Sequence, residues 1–213
     1  MKLIKGARTI RRYTVSGELE GDVLKHIQNS LRQFAFSNPV SNQAIEEKIG
    51  WVTTKSILDT DFDLLDNWFV SPYVFAQIRI DKKTLPSNLF RAKFEAKLQD
   101  WLITNNREKI FKKTKDEIKE TLTVEMMAQT LPKVKTAEFC WNIDQNYVIF
   151  LNTSATLNQK FIDYFYQSFG LSLTSFTPLM FLEEDDPNIE KLTKATRSSF
   201  RAHALPVHEE MED

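Results

Sequence analysis

Apolar residues along the chain recur at two spacings, one typical of strands and the other of helices. Residues 8–15 are rich in β-forming side chains and stop at Ser16 and Gly17, which predicts a strand followed by a turn. Residues 20–34 place apolar side chains at helical spacing, so this stretch predicts an amphipathic helix. Residues 50–52 and residues 68–80 then predict two strands, the longer one with one buried face and one partly polar face.

The middle of the chain predicts two successive helices. A leucine-proline pair at residues 85–86 opens a helical stretch with one apolar stripe, because proline suits the first turn of a helix. The sequence Thr-Lys-Asp-Glu at residues 114–117 is a capping box, which predicts that the second helix starts at Thr114. That helix is expected to end near a second leucine-proline pair, residues 131–132, because the residue before a proline disfavours the helical conformation.

The last third of the chain predicts a β-hairpin, a helix and a strand. Residues 139–143 and 147–151 alternate on either side of a polar turn, and residues 155–169 predict a helix that ends at Gly170. Residues 171–177 predict the final strand. This order is typical of an α+β fold, with antiparallel or mixed sheets and packed helices.

The predicted domain organisation follows from this order and from composition. We predict one α+β domain over residues 1–182, within which residues 85–134 form a helical, basic segment. Residues 183–213 are predicted to be an acidic tail, with a short helix at residues 188–200 and a mobile end.

Composition excludes several functional classes. Nothing in the opening residues predicts secretion, and the single cysteine, Cys140, cannot form an internal disulfide, so we expect a cytosolic protein. The longest uncharged apolar runs are far shorter than the roughly 20 residues of a membrane-spanning helix, so no membrane span is predicted. The five glycines are spread apart and form no phosphate-binding loop, and we predict no cofactor.

The net charge of -1 is an average over three unlike stretches. Residues 1–78 hold 9 basic and 9 acidic side chains, residues 79–135 hold 14 and 8, and residues 136–213 hold 5 and 12. Charge asymmetry of this kind is informative about partners. The basic middle stretch indicates a polyanionic partner, while a solvated lysine-rich helix face would have the same composition.

A lysine cluster is the most informative feature of that middle stretch. At about 100° per residue, Lys112, Lys115 and Lys119 share one helix face, and Lys109 and Lys113 lie near it. Two of these lysines precede the predicted helix start, where the helix dipole disfavours cations and a bound phosphate would reverse the penalty. The alternative is a solvated face partly neutralised by acidic neighbours. A second basic set would extend the surface if the ends of its elements meet: Arg79, Lys82, Lys83, Lys133 and Lys135.

Candidate catalytic and metal-binding groups are sparse. The acidic run at residues 59–66 departs from the calcium-loop pattern, since Leu64 stands where that loop needs glycine. A metal-dependent nuclease would hold Mg²⁺ with carboxylates from distant segments, for which Glu138, Asp144 and the acidic run are available without a distinguishing spacing. His26 is the one histidine outside the tail, which disfavours nucleophilic catalysis.

Several landmarks occur in a characteristic order over about residues 20–180. They are residues 34–36 (Phe-Ala-Phe), 50–52 (Gly-Trp-Val), 79–87 (a basic strand end leading into Leu-Pro-Ser), 94–98 (Phe-Glu-Ala-Lys-Leu), 111–114 (Phe-Lys-Lys-Thr), 131–132 (Leu-Pro) and 141–144 (Trp-Asn-Ile-Asp). In this order and spacing the chain resembles the RdgC family of bacterial recombination-associated proteins.

The resemblance implies a function and a set of partners. Family members are α+β proteins that bind double-stranded DNA without strong sequence preference, form a ring-shaped homodimer with a positive inner surface, and limit access of the recombinase RecA. A cytoplasmic, nucleoid-associated location agrees with that role. Some family names specify an exonuclease, which leaves a metal-dependent exonuclease as one alternative. A protein-interaction module that acts on a recombinase is the other.

The resemblance also selects residues. The basic strand end, the two lysines at residues 112–113 and Lys133 match basic positions of the family pattern, whereas Lys135 stands where the family usually has an aromatic residue. The full set of predicted DNA-binding residues is Arg79, Lys82, Lys83, Lys109, Lys112, Lys113, Lys115, Lys119, Lys133 and Lys135.

Overall fold

The structure is a computed structural model that describes residues 9–37, 47–177, 188, 190 and 191. The chain divides into two compact units, Met1–Ser175 and Phe176–Asp213. Nearly all the described residues lie in the first unit. Of the predicted acidic tail and its short helix, only residues 188, 190 and 191 are described, and these three are helical.

Seven antiparallel strands form one sheet in the described part of the chain. The strands are β1 (Arg11–Ser16), β2 (Glu47–Val52), β3 (Phe69–Val70), β4 (Tyr73–Lys82), β5 (Lys133–Asn142), β6 (Tyr147–Phe150) and β7 (Ser172–Ser175). Their order across the sheet is β2-β4-β5-β6-β1-β7, and β3 pairs with the start of β4. The two longest strands, β4 and β5, pair along their whole length at the centre.

Four α-helices accompany the sheet in the described residues, and the predicted α+β class is confirmed. They are α1 (Val23–Gln33), α2 (Ser87–Thr104), α3 (Lys112–Gln129) and α4 (Ala155–Phe169). The side chain of Asp22 caps α1 by accepting a hydrogen bond from the backbone N–H of Lys25, and α4 ends at Gly170 with a positive φ of 71°. None of the described helices is both long and apolar enough to cross a membrane.

The main core lies between one face of the sheet and helix α4. Every fourth residue of a helix returns to the same face, so Phe161, Phe165 and Phe169 of α4 all face the sheet. Phe161 is fully buried and lies against aromatic rings of four strands. Its ring neighbours include Tyr13, Trp51, Phe139, Phe150 and Phe165. Helix α1 packs on α4 beside this cluster and contributes the buried side chains of Ile27 and Leu31.

Two landmarks of the sequence, residues 34–36 and 50–52, lie side by side. The backbone N–H of Phe36 donates to the Trp51 carbonyl at 2.8 Å, and the N–H of Trp51 donates to the Phe34 carbonyl at 3.0 Å. A Cβ atom at Gly50 would lie 2.3 Å from the Cα atom of Phe36. Glycine is required at this position because no side chain fits between the two backbones.

The prediction of one strand over residues 68–80 is wrong, because the structure has two strands there. A turn at Ser71 and Pro72 divides it into β3 and β4. The second face of β4 is buried, because the loop after β2 covers it: Gln77 Nε2 donates to the Thr53 carbonyl at 3.0 Å, and Arg79 Nη1 donates to the Ile57 carbonyl at 2.9 Å. The partly polar face predicted for this strand is therefore a layer of buried polar side chains.

Helix α3 also begins earlier than the capping box predicts. Its first residue is Lys112, Phe111 is the N-cap residue, and no side chain caps it. The N–H of Lys115 already donates to the Phe111 carbonyl at 3.1 Å, so Thr114 lies inside the first turn and does not act as a cap. Strand β5 likewise begins at Lys133, because β4 offers a pairing partner at every position from there onward.

Helices α2 and α3 pack against each other and form a helical hairpin. An ion pair joins them, with Lys97 Nζ at 2.7 Å from Glu125 Oε2. Helix α2 contains no buried residue, and α3 buries Leu122, Met126 and Met127. The predicted apolar stripe of α2 is therefore only half-buried in the described part of the chain.

Candidate functional site

Five of the predicted residues lie on the helical hairpin, and we call them the hairpin lysines. All five are exposed and belong to the first half of α3 or to the loop before it: Lys109, Lys112, Lys113, Lys115 and Lys119. None of them forms a salt bridge with a carboxylate of the described residues, although four acidic side chains, at residues 108, 116, 117 and 120, lie nearby in sequence. The hairpin lysines therefore form a local excess of positive charge.

The start of α3 adds to this excess. Lys112 and Lys113 are the first two residues of the helix, and its first turn contains no acidic side chain. The unpaired N–H groups of a helix start carry partial positive charge, which disfavours cations there by about 0.3–1 kcal/mol each. An anion bound at this end would remove the penalty and would accept hydrogen bonds from both the backbone and the lysines.

Three other predicted residues lie together at the end of the central strands, and we call them the sheet-end lysines: Lys82, Lys133 and Lys135. Lys82 of β4 lies directly opposite Lys133 of β5, and Lys135 lies opposite Ile80. Because side chains alternate along a strand, all three share the sheet face of the buried residues Ile80 and Ala137. The face that forms the core thus changes from apolar to basic at this end.

The sheet-end lysines line a cavity of about 590 Å³, which we call the alcove. The first two turns of α4 and the residue before them also line it, with Ser154, Thr156 and Lys160, and its remaining polar lining includes Glu47 and Asn152. Lys160 forms an ion pair with Glu47. The sequence analysis did not identify Lys160 or the start of α4 as part of a site. Ser154 and Thr156 at the start of an apolar helical pattern were the available signal, but their proximity to β4 and β5 depends on tertiary structure.

Arg79 does not belong to either exposed set. It is 7% exposed, and its guanidinium donates from Nε and Nη2 to the two carboxylate oxygens of Asp81 at 2.8 and 2.6 Å. Nη1 donates to the Ile57 carbonyl, and the guanidinium carbon lies 4.0 Å from the centre of the Phe36 ring. Arg79 is therefore a structural residue beneath the loop after β2, and its donors are occupied without a phosphate.

Lys83 also has a structural contact. Its side chain is half-buried, and Nζ donates to the carbonyl of Met127 at 2.8 Å. The partner carbonyl lies in the last turn of α3, where the helix dipole favours a cation. Lys83 therefore joins the end of β4 to the end of the helical hairpin.

The possible catalytic groups remain dispersed in the described residues. No group of three or more histidine, cysteine or acidic side chains is arranged to hold a metal ion there. In the acidic run, Asp59 accepts hydrogen bonds from the Thr53 hydroxyl and the Asp61 backbone, so its carboxylate is used within its own loop. Burial raises the pKa of the Cys140 thiol to about 11, which keeps it protonated and weakly nucleophilic at neutral pH.

Comparison with known proteins gives one family. A family model described as "Putative exonuclease, RdgC" matches residues 8–195. No curated protein sequence matches the chain. The family match includes both lysine sets, the covered face of β4 and the pairing of residues 34–36 with β2. Since the match spans most of the 213 residues, the protein belongs to the RdgC family, and this membership supports a recombination-associated role.

Proposed function

We propose that this protein binds double-stranded DNA without sequence preference, through its phosphates, and thereby modulates recombination. The observation that carries the proposal is the set of hairpin lysines, which are exposed and form no salt bridge in the described residues. Lysine presents a compact charge on a flexible stem, so it recognises a phosphate without reading a base. Family membership supports the link to recombination.

The sheet-end lysines provide further phosphate contacts in this proposal. Their ammonium groups also form no salt bridge with the described residues. Arg79 and Lys83 position neighbouring elements and are not proposed as contacts.

The partners in this proposal are DNA, a second copy of the chain and a RecA-like recombinase whose access to DNA is limited. A homodimer is supported by large apolar side chains left exposed on or beside the helical hairpin: Leu89, Ile103, Phe111, Val124, Leu131 and Val134. Contiguous exposed apolar surface marks protein contacts, and in this proposal the second copy of the chain buries these side chains. The proposed location is the cytoplasm, in association with the nucleoid.

Replacing Lys112, Lys113 and Lys119 together by alanine should weaken binding to all duplex sequences alike. Each neutralised phosphate contributes about -0.9 to the slope of log affinity against log salt, so losing three contacts should flatten the slope by up to about 2.7. The measurement is fluorescence anisotropy of a labelled random-sequence duplex between about 50 and about 200 mM salt, with a single strand in parallel.

The matched control replaces the same three lysines by arginine, which keeps the charge and should preserve the slope. A second control, Lys25→Ala, removes an exposed lysine of α1 and should leave the slope unchanged. An alanine triple variant with the wild-type slope would contradict the assignment of DNA contact to the hairpin lysines.

The description of the family favours a second candidate, a metal-dependent exonuclease. Under the DNA-binding proposal, end-labelled duplex incubated with the protein and Mg²⁺ or Mn²⁺ should remain at full length. The measurement is denaturing electrophoresis of the labelled strands over time. Shortened products that disappear when a chelator is added would assign the exonuclease activity to this chain instead.

A further inference from the structure

The alcove combines an unusual strand pairing with a large cavity. Lys82 and Lys133 lie directly opposite each other in the sheet, with Lys135 two residues further along the same face. Like charges at directly opposed positions destabilise a strand pair. Glu47, the acidic side chain of the lining, already pairs with Lys160. Four lysines and one glutamate give the lining three net positive charges.

The start of α4 adds hydrogen-bond donors to the lining of the alcove. Helix α4 starts there, its first turn contains no acidic residue, and Ser154 at the N-cap makes no capping side-chain hydrogen bond in the described residues. Ser154 and Thr156, which carry hydroxyl groups, line the same cavity. The start of a 15-residue helix, hydroxyl groups and ammonium groups therefore converge on one space.

The size and charge of the alcove select among phosphate ligands. A volume of about 590 Å³ is in the range of small-molecule sites and accommodates one nucleotide, whereas a duplex is too wide to enter. A phosphodiester within a strand carries one negative charge, but a phosphomonoester carries about -1.5 to -2 at neutral pH. Three net positive charges favour the more highly charged monoester.

We propose that the alcove binds a phosphomonoester, either the terminal phosphate of a nucleic-acid strand or a free nucleotide. Lys133, Lys135 and Lys82 neutralise the phosphate, and the start of α4 donates hydrogen bonds to it. For a strand terminus, this inference rests on the proposed DNA binding and specifies where an end is held. For a free nucleotide it is independent of DNA binding.

The first arm of the test compares DNA ends. Anisotropy is measured with one short duplex that carries a 5′-phosphate, a 3′-phosphate or only hydroxyl groups at its ends. A strand-end site predicts that one phosphorylated duplex binds about tenfold more tightly than the hydroxyl duplex, the equivalent of one charge-assisted hydrogen bond. The second arm titrates adenosine monophosphate and adenosine by calorimetry, and the alcove predicts binding of the monophosphate alone.

Two double variants locate the effect. Replacing Lys133 and Lys135 by alanine should abolish both the end preference and the binding of the monophosphate, and should also remove the contacts that these two lysines make with the phosphates of every duplex. Replacing Lys112 and Lys113 by alanine should weaken every duplex and keep the end preference, because these lysines lie on the hairpin and do not line the alcove. All four lysines are exposed, so neither variant removes a core side chain.

Each outcome decides one of the two proposals. Equal binding of all three duplexes together with no binding of adenosine monophosphate would overturn the alcove proposal and leave duplex binding intact. Monophosphate binding without an end preference would support the alcove and assign it to a free nucleotide. If no duplex binds at low salt, the proposed function fails, and the monophosphate titration alone decides the alcove. An end preference that survives the Lys133 and Lys135 double variant would also overturn it.

Discussion

Replacing Asp81 by alanine should lower the free energy of unfolding by about 3–5 kcal/mol, because the change leaves the Arg79 guanidinium buried without its counter-charge. Both side chains are less than a tenth exposed, and the two are joined by paired hydrogen bonds of 2.8 and 2.6 Å. Urea unfolding followed by tryptophan fluorescence gives the free energy.

Two controls separate the buried charge from general damage. The double variant Arg79→Met with Asp81→Val removes both charges and should recover at least half of the loss, because apolar pairs of similar volume often replace buried ion pairs without cost. Glu95→Ala breaks an exposed arginine-carboxylate pair of α2 and should change stability by less than about 0.5 kcal/mol. A double variant as unstable as Asp81→Ala would show that packing, and not the unpaired charge, causes the loss.

The same double variant also tests the separation of Arg79 from the DNA contacts. Since the donors of Arg79 are occupied by Asp81 and Ile57, removing its charge should leave the salt dependence of duplex binding unchanged. A flatter slope would return Arg79 to the DNA-binding set. Measuring the slope under folding conditions distinguishes this effect from the loss of stability.

Replacing Phe161 by alanine should lower the free energy of unfolding by about 3–5 kcal/mol, since the change leaves a cavity at the centre of the core. The side chain is completely buried, and its ring lies 4.1 Å from that of Phe150 in a stacked arrangement. The neighbouring rings belong to the sheet and to α4, and they cannot all move to fill the space. The measurement is again the urea unfolding midpoint with its slope.

Tyr166 provides the matched control on the same helix. It is 59% exposed, so Tyr166→Ala removes a ring of similar size without opening a core cavity. A change within about 0.5 kcal/mol is expected there. Equal losses for the two variants would mean that the contribution of α4 arises from helix propensity, and not from the packing of Phe161 against the sheet.

Elements with strong hydrophobic periodicity lie close to the positions that the sequence predicts. Helix α4 has the bounds that its pattern predicts, and the turn between β5 and β6 lies where the alternation of residues 139–151 places it, although β5 begins earlier, at Lys133. These patterns suffice to predict the elements because each has one apolar and one polar face. The spacing of the apolar residues shows whether the element is a helix or a strand, and the apolar face shows which side packs on the core. The glycine at residue 170 ends α4 for a local reason, its left-handed backbone.

Local sequence signals were insufficient at the start of α3 and on the second face of β4. The capping box at residues 114–117 did not set the start of α3, because the helix begins two residues earlier, at Lys112, with Phe111 as its N-cap residue. The polar residues of β4 were expected on a partly polar face, but the loop after β2 covers them and accepts their hydrogen bonds. The burial of the β4 side chains does not follow from spacing, since it depends on a loop distant in sequence.

Part of the candidate site could be predicted from the sequence, and part of it required the tertiary structure. Composition and helical spacing identified the hairpin lysines, whose arrangement needs only one helix. The alcove required the register of β4 against β5 and the position of α4, and so Lys160 was missed. Arg79 was grouped with the lysines because sequence gives its charge but not its burial.

By itself, the sequence determined the α+β class, most helix and strand positions and the basic middle stretch, because these depend on local periodicity and on side-chain charge. The tertiary structure alone decided which basic side chains are available. It buried Arg79 against Asp81, bound Lys83 to the end of α3, and brought three other lysines to the start of α4. The physical reason is that burial and pairing depend on contacts between residues far apart in the chain, which spacing along one element does not specify.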